Sequence, residues 1–156
     1  MKRIPLGRSG KFALVSDIDY PYVRKYSWHL SIAGYVERVW RRRGRSPGHR
    51  YLHRTVKPSP KGKLTDHRNL NKLDCRRSNL RFVDWSQNGA NRGPNKNNSS
   101  GFKGVYFSSD HKKWQAQIMY HKVSYHLGRF SNKIKAARAY DKAALKYFGN
   151  YAKTNF

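Results

Sequence analysis

Acid is scarce in this sequence: 8 Asp and Glu stand against 34 Lys and Arg in 156 residues, a formal charge of +26 at pH 7. Such a surplus repels itself unless a polyanion neutralises it, which points to nucleic acid as the partner. The same scarcity makes a glycosidase built on two carboxylates an unattractive reading. With one cysteine, Cys75, an internal disulfide framework and a zinc site made of cysteine pairs are both excluded. No apolar run approaches the roughly 20 residues of a membrane span. The start, MKRIPLGRSGK, has no apolar stretch behind its charges, so neither a membrane partner nor a secretory signal is expected. The expected location is the reducing cytoplasm. At this length one or two small domains fit, neither with a large core.

Basic residues are spread throughout and interleaved with aromatics, among them Trp40, Tyr51, Tyr106, Trp114 and Tyr125. That pattern suits nucleic acid better than a membrane surface. A ribosomal-type RNA binder shares the composition and stays a competitor.

Chemistry concentrates between Thr65 and Asn91, TDHRNLNKLDCRRSNLRFVDWSQNGAN, which holds three of the eight acids, Asp66, Asp74 and Asp84. The pattern predicts a strand, an irregular polar loop, a second strand over Leu80 to Val83 and a helix bearing Asn88. Asp66 and Asn88 offer hard oxygen ligands of the kind Mg²⁺ prefers. His67 offers a base that is neutral near pH 7. Cation and base together suit phosphodiester hydrolysis. Taken singly, these residues read as readily as cap and turn positions; the ordered set is far more specific.

Asp66-His67, Asn79-Leu80-Arg81 and Gln87-Asn88 resemble, in order and spacing, the three-part motif of the HNH endonucleases, and more closely the phage and intron-type homing endonucleases. The resemblance implies a ββα-metal nuclease core acting on double-stranded DNA with Mg²⁺ or another divalent cation such as Mn²⁺. His67 would be the general base, Asp66 and Asn88 would hold the metal, and Asn79 would brace the loop behind the histidine. A phage-encoded, free-standing enzyme acting as a monomer in a bacterial host is implied, with no protein partner. Cys75 departs from the family, which often has Asn there. Arg76, Arg77 and Arg81 are candidate phosphate clamps, since Arg grips phosphate with two parallel hydrogen bonds. A DNA-binding regulator that keeps the nuclease fold as a scaffold is the alternative.

Before this stretch, Lys11 to Val15 predicts a strand and Asp17 to Trp28 a turn into a short helix capped by Asp17 or Asp19. Two further strands are predicted over Tyr35 to Trp40 and Arg50 to Val56, joined by the basic loop RRRGRSPGH. Within the resemblance His53 is a packing or phosphate-facing histidine, or else a support for the active site.

After it, residues 93–100 are too polar to pack and read as a linker. The domains expected are therefore 1–92, a nuclease with amino-terminal strands, and 101–156. In the second, Phe102 to Phe107, Trp114 to Tyr120 and Val123 to Phe130 predict strands. Ser131 would cap a helix through Phe148 whose inner face is Ile134, Ala137, Tyr140, Ala144 and Phe148. The result is an α+β protein whose second part is a three-stranded antiparallel sheet on one helix. GFKGV at 101–105, Lys113-Trp114-Gln115-Ala116, Leu127-Gly128, Ala136 to Asp141 and Asn155-Phe156 resemble the APETALA and ethylene-response-factor DNA-binding domain. That resemblance implies major-groove contacts from Lys103, Tyr106, Gln117, Met119, Ser124 and His126, where the plant pattern favours Arg and Trp at several places.

Overall fold

Apolar residues near the amino terminus pair into a hairpin, β1 (Lys2–Pro5) antiparallel to β2 (Phe12–Val15), with Ile4, Ala13 and Val15 turned into a core. The computed structural model describes residues 1–156 apart from the side chain of Arg42. The chain is mixed α/β with small antiparallel sheets, and it divides into two compact units, Met1–Val83 and Asp84–Phe156. Among the described residues no helix is long and apolar enough to cross a membrane.

In the first unit, α1 (Tyr20–Val23) is a single turn started by Pro21, which fits a first helical turn because its missing N–H would be unpaired there anyway. Asp19 precedes it without capping it; its carboxylate is taken by Arg77 instead. Trp28 is buried and its indole N–H donates to the Val23 carbonyl at 2.8 Å, so the large ring enters the core with its polar atom satisfied. A three-stranded sheet follows, β3 (His29–Leu30), β4 (Val36–Arg42) and β5 (Arg45–Tyr51), in the order β3-β4-β5.

Where a long basic loop was expected, the chain turns tightly at Arg43-Gly44 and β5 begins at once. Pro47 is tolerated because β5 is an edge strand. Gly48 is required because the Trp40 indole lies where a Cβ would be, 2.3 Å away. The expected strand over Arg50 to Val56 is a correction: β5 ends at Tyr51, and α2 (Leu52–Val56) is helical. Leu52 and Val56, four residues apart, then share the buried face, a helical period that aromatic and β-branched neighbours disguise as a strand. Last come β6 (Leu64–His67) and β7 (Leu80–Val83), paired antiparallel. The loop between them is stitched to β2: the Leu14 N–H donates to the Leu73 carbonyl (2.8 Å) and the Cys75 N–H to the Leu14 carbonyl (2.9 Å).

The second unit opens with α3 (Trp85–Ala90), followed by β8 (Val105–Ser108), β9 (Lys113–Tyr120), β10 (Val123–Phe130) and α4 (Lys133–Phe148). Its sheet runs in the order β10-β9-β8, with α4 packed across one face. Ala136, Ala137, Tyr140, Ala144 and Phe148 form the buried stripe. Ile134 is 43% exposed, unlike its expected inward position. The helix is capped by Asn132 rather than Ser131, which leaves Ile134 in the first turn, ahead of the stretch that lies on the sheet. Gly104 has φ +72 and would meet the Tyr140 ring at 2.0 Å if it carried a Cβ, so strand and helix approach closely there. Residues 93–100, read from the sequence as a linker, lie within this unit; Asn98 and Ser100 hydrogen-bond to Phe102 and Val105.

Candidate active site and nucleic-acid interface

Pairing of β6 with β7 sets Asp66 opposite Arg81 and His67 opposite Leu80. Successive strand residues face opposite sides, so His67 is buried while Asp66 meets Arg81, whose Nε donates to its carboxylate at 3.1 Å. These two side chains are 11% and 7% exposed. Around the His67 ring lie His53, edge-on at 5.0 Å between centroids, and Tyr35 at 6.1 Å. The Cys75 sulfur is 3.8 Å from Nε2. Burial lowers the His67 pKa, with Asp66 and Asp74 opposing the shift. His53 is pulled further, to about 3, by burial and then by the neighbouring His67 and Arg54. It stacks on Tyr51, and its buried Nδ1 has no hydrogen-bond partner among the described residues. Burial pushes the Cys75 thiol up to about 12, so it stands beside the imidazole as a protonated, unreactive group.

Asn79 ties the loop between these strands together. Its Nδ2 donates to Asn69 Oδ1 (2.9 Å) and to the Asp74 carbonyl (2.8 Å), and its Oδ1 accepts from the Asn69 N–H (3.2 Å). The Arg68 N–H also donates to the Asn79 carbonyl. One buried amide thus fixes the turn that follows His67, where Leu70 takes a left-handed φ of 62.

Each of the three arginines considered for phosphate is held by a carboxylate. Arg76 donates twice to Asp74 (2.7 and 2.6 Å), Arg77 grips both oxygens of Asp19, and Arg81 pairs with Asp66. Arg76 and Arg77 remain 38% and 55% exposed.

Asn88 belongs to α3 and the second unit. Asp84 caps that helix by accepting from the Gln87 N–H (2.8 Å), while Gln87 Oε1 accepts from the Asp84 N–H (3.0 Å). This reciprocal box occupies the Gln of the Gln-Asn pair, and half-buried Asn88 follows it on the next helical position.

On the sheet, Gln117, Met119, Ser124 and His126 share the face turned away from α4, by the register His126 opposite Gln117 and Ser124 opposite Met119. All four are exposed, Met119 at 66%. Tyr106 joins them, its hydroxyl donating to Gln115 at 2.9 Å. Two cations unread in the sequence lie on the same face, Lys113 opposite Ser108 and Arg129 opposite Gln115. Alternation along β9 could have found Lys113. Arg129 was hidden by a bulge between His126 and Gly128 that shifts the period by one residue. Lys103 does not share this face: it precedes β8, and its ammonium donates to the Gly89 and Ala90 carbonyls at the end of α3. Burial lowers its pKa to about 8.

No family model matches the chain. It is 32% identical over 153 residues to an uncharacterised HNH endonuclease of Acanthamoeba polyphaga mimivirus, an alignment covering 96% of this chain and 78% of that protein. A shorter similarity, 47% identity over 58 residues, joins 37% of the chain to 16% of an AP2/ERF and B3 domain-containing protein of Oryza sativa subsp. japonica.

Proposed function

The chain belongs to the HNH endonuclease family, and on that premise we propose that it is a metal-dependent endonuclease hydrolysing phosphodiester bonds in double-stranded DNA at preferred sites. The environment of His67 carries this reading: burial lowers its pKa, so the imidazole is neutral at pH 7, the state a general base needs. His67 takes a proton from water, the resulting hydroxide attacks phosphorus, and the bond to the leaving oxygen breaks. Asn79 keeps the loop behind the histidine in place. Asp66 would offer a carboxylate and Asn88 an amide oxygen, hard donors of the kind that Mg²⁺ or Mn²⁺ takes. Such a cation, when bound, neutralises charge building on the phosphate. Arg76 and Arg77 turn exposed guanidinium edges to the DNA backbone, and Tyr106, Gln117, Met119, Ser124 and His126 read base edges in the major groove.

A non-catalytic DNA-binding regulator on the same scaffold is the second reading, favoured by the near-complete burial of His67 and by the hold of Arg81 on Asp66. Duplex DNA and Mg²⁺ separate the two. The nuclease reading expects His67→Ala to slow cutting by roughly 10²–10⁴-fold, and Asp66→Ala, Asn88→Ala or EDTA to abolish it. DNA binding should largely survive all of these, because most affinity comes from other phosphate contacts. Undiminished cutting by His67→Ala overturns the assignment; a wild-type protein that binds and never cuts leaves the regulator.

A further inference from the structure

Helix α3 has six residues and cannot hold itself in water. Its last carbonyls have no donors within the helix; the Arg92 N–H just past it reaches the Gly89 carbonyl at 3.3 Å, and residues farther along the same unit supply the rest. Lys103 Nζ donates to the Gly89 carbonyl at 3.3 Å and to the Ala90 carbonyl, and the Lys153 N–H donates to Ala90 at 3.1 Å. A cation at a helix C-terminus is also favoured by the helix dipole. Ala90 itself packs with Ile118, Tyr140 and Phe148.

We propose that Lys103 is a positioning residue whose ammonium fixes α3 and thereby the placement of the Asn88 side chain. The inference rests on the role given to Asn88 in holding the cation. Asn88 immediately precedes Gly89, so clamping the Gly89 and Ala90 carbonyls fixes the turn that carries it. The clamp is anchored in turn. The Lys103 N–H donates to Asn155 Oδ1 (2.7 Å), the Lys103 carbonyl accepts from Asn155 Nδ2 (3.3 Å), and Asn155 is held by buried Asp141 (2.8 and 2.9 Å). A lysine that met phosphate would turn its ammonium to solvent; this one is half-buried and turns its ammonium to its own chain's carbonyls.

The test compares the full-length wild type with Lys103→Met, which keeps the stem and removes the charge, and Lys103→Arg, which restores a cation. Amide hydrogen exchange is followed across α3 and β9, and single-turnover cutting at saturating duplex DNA is followed across a Mg²⁺ titration. In Lys103→Met, protection of the Asn88 and Asn91 amides should be lost while β9 keeps its own. The Mg²⁺ needed for half-maximal cutting should rise about 10-fold or more, with DNA affinity largely unchanged, and Lys103→Arg should restore both. Unchanged exchange in α3 overturns the proposal. So does weakened DNA binding with an unaltered Mg²⁺ requirement, which would make Lys103 a DNA contact, and so does loss of β9 protection along with α3, which would make it a residue of the fold. A wild-type protein that never cuts defeats the nuclease reading but not the hold on α3, which exchange decides by itself.

Discussion

The strand pair β6–β7 with its loop and the outer face of the β8–β10 sheet use the same excess of positive charge in opposite ways. Around the first, Asp19, Asp66 and Asp74 each hold an arginine, so these three cations are compensated and fixed. In the second unit, Asp84 caps α3 and Asp141 holds Asn155 and Phe156, both by backbone N–H groups. Lys113 and Arg129 face solvent on the sheet. The proposed function accounts for the difference. Groups that must stand in set positions need their charges balanced within the fold, since a buried charge without a partner is strongly destabilising. A surface meant for a polyanion needs its charges left for the ligand to balance, with release of counterions as the gain.

The largest way to sharpen this contrast is Ala137→Asp, which buries a charge at a fully enclosed position of α4. It should unfold the second unit and leave the first folded, seen as loss of one set of protected amides in hydrogen exchange. Cutting should vanish with it, because α3 belongs to the unit that unfolds.

Acid should separate the units next. His53 and His67 are buried in the first unit with lowered pKa values, whereas His111, His121 and His126 of the second are exposed. A histidine held neutral by folding contributes no penalty above its unfolded pKa near 6.5. Below it the unfolded chain binds the proton first and stability falls, for His53 until its folded value of about 3 is reached. The first unit should lose roughly 2 kcal/mol between pH 6.5 and pH 5 from His53 alone, while the second barely changes; denaturant melts at the two pH values check this. Equal losses in both units would break the comparison.

Smallest in energy are changes on the sheet. Gln117→Ala or His126→Ala should cost roughly 1–3 kcal/mol against the preferred site and less against others, read by binding-site selection. Arg129→Ala should weaken all sites alike and reduce the slope of log affinity against log salt by about 1. An unchanged slope would mean that the sheet face does not meet phosphate.

Much of this was visible in the sequence where the determinant is local. Alternation along Lys113–Tyr120 gave the two faces of β9, and the order Asp66-His67, Asn79, Asn88 marked a strand, loop, strand and helix that the chain does form. What was missed depends on partners distant in sequence. Nothing near Arg77 announces that Asp19 will take its guanidinium, and nothing near Lys103 announces the carbonyls of α3. The helix over Leu52–Val56 was lost because five residues give one turn, too little for a period to show. Cys75, a loop position in the sequence, has its sulfur 3.8 Å from His67 Nε2, a contact that no local pattern announces.

The stitching of β2 to the β6–β7 loop also sets a timetable. The Arg77 N–H bonds Ser16 across 61 residues, and loop closure over such a span precedes any reward from the contact. At about 5–20 residues per second of synthesis, the amino-terminal hairpin waits roughly 3–12 s for the segment that completes it. During that interval Asp66 and His67 are already made, yet the frame around the imidazole is not. A ribosome-bound chain therefore carries Asp66 and His67 in an unassembled state, and a message that stops short of Arg77 yields a fragment with both residues but without the loop that packs against them.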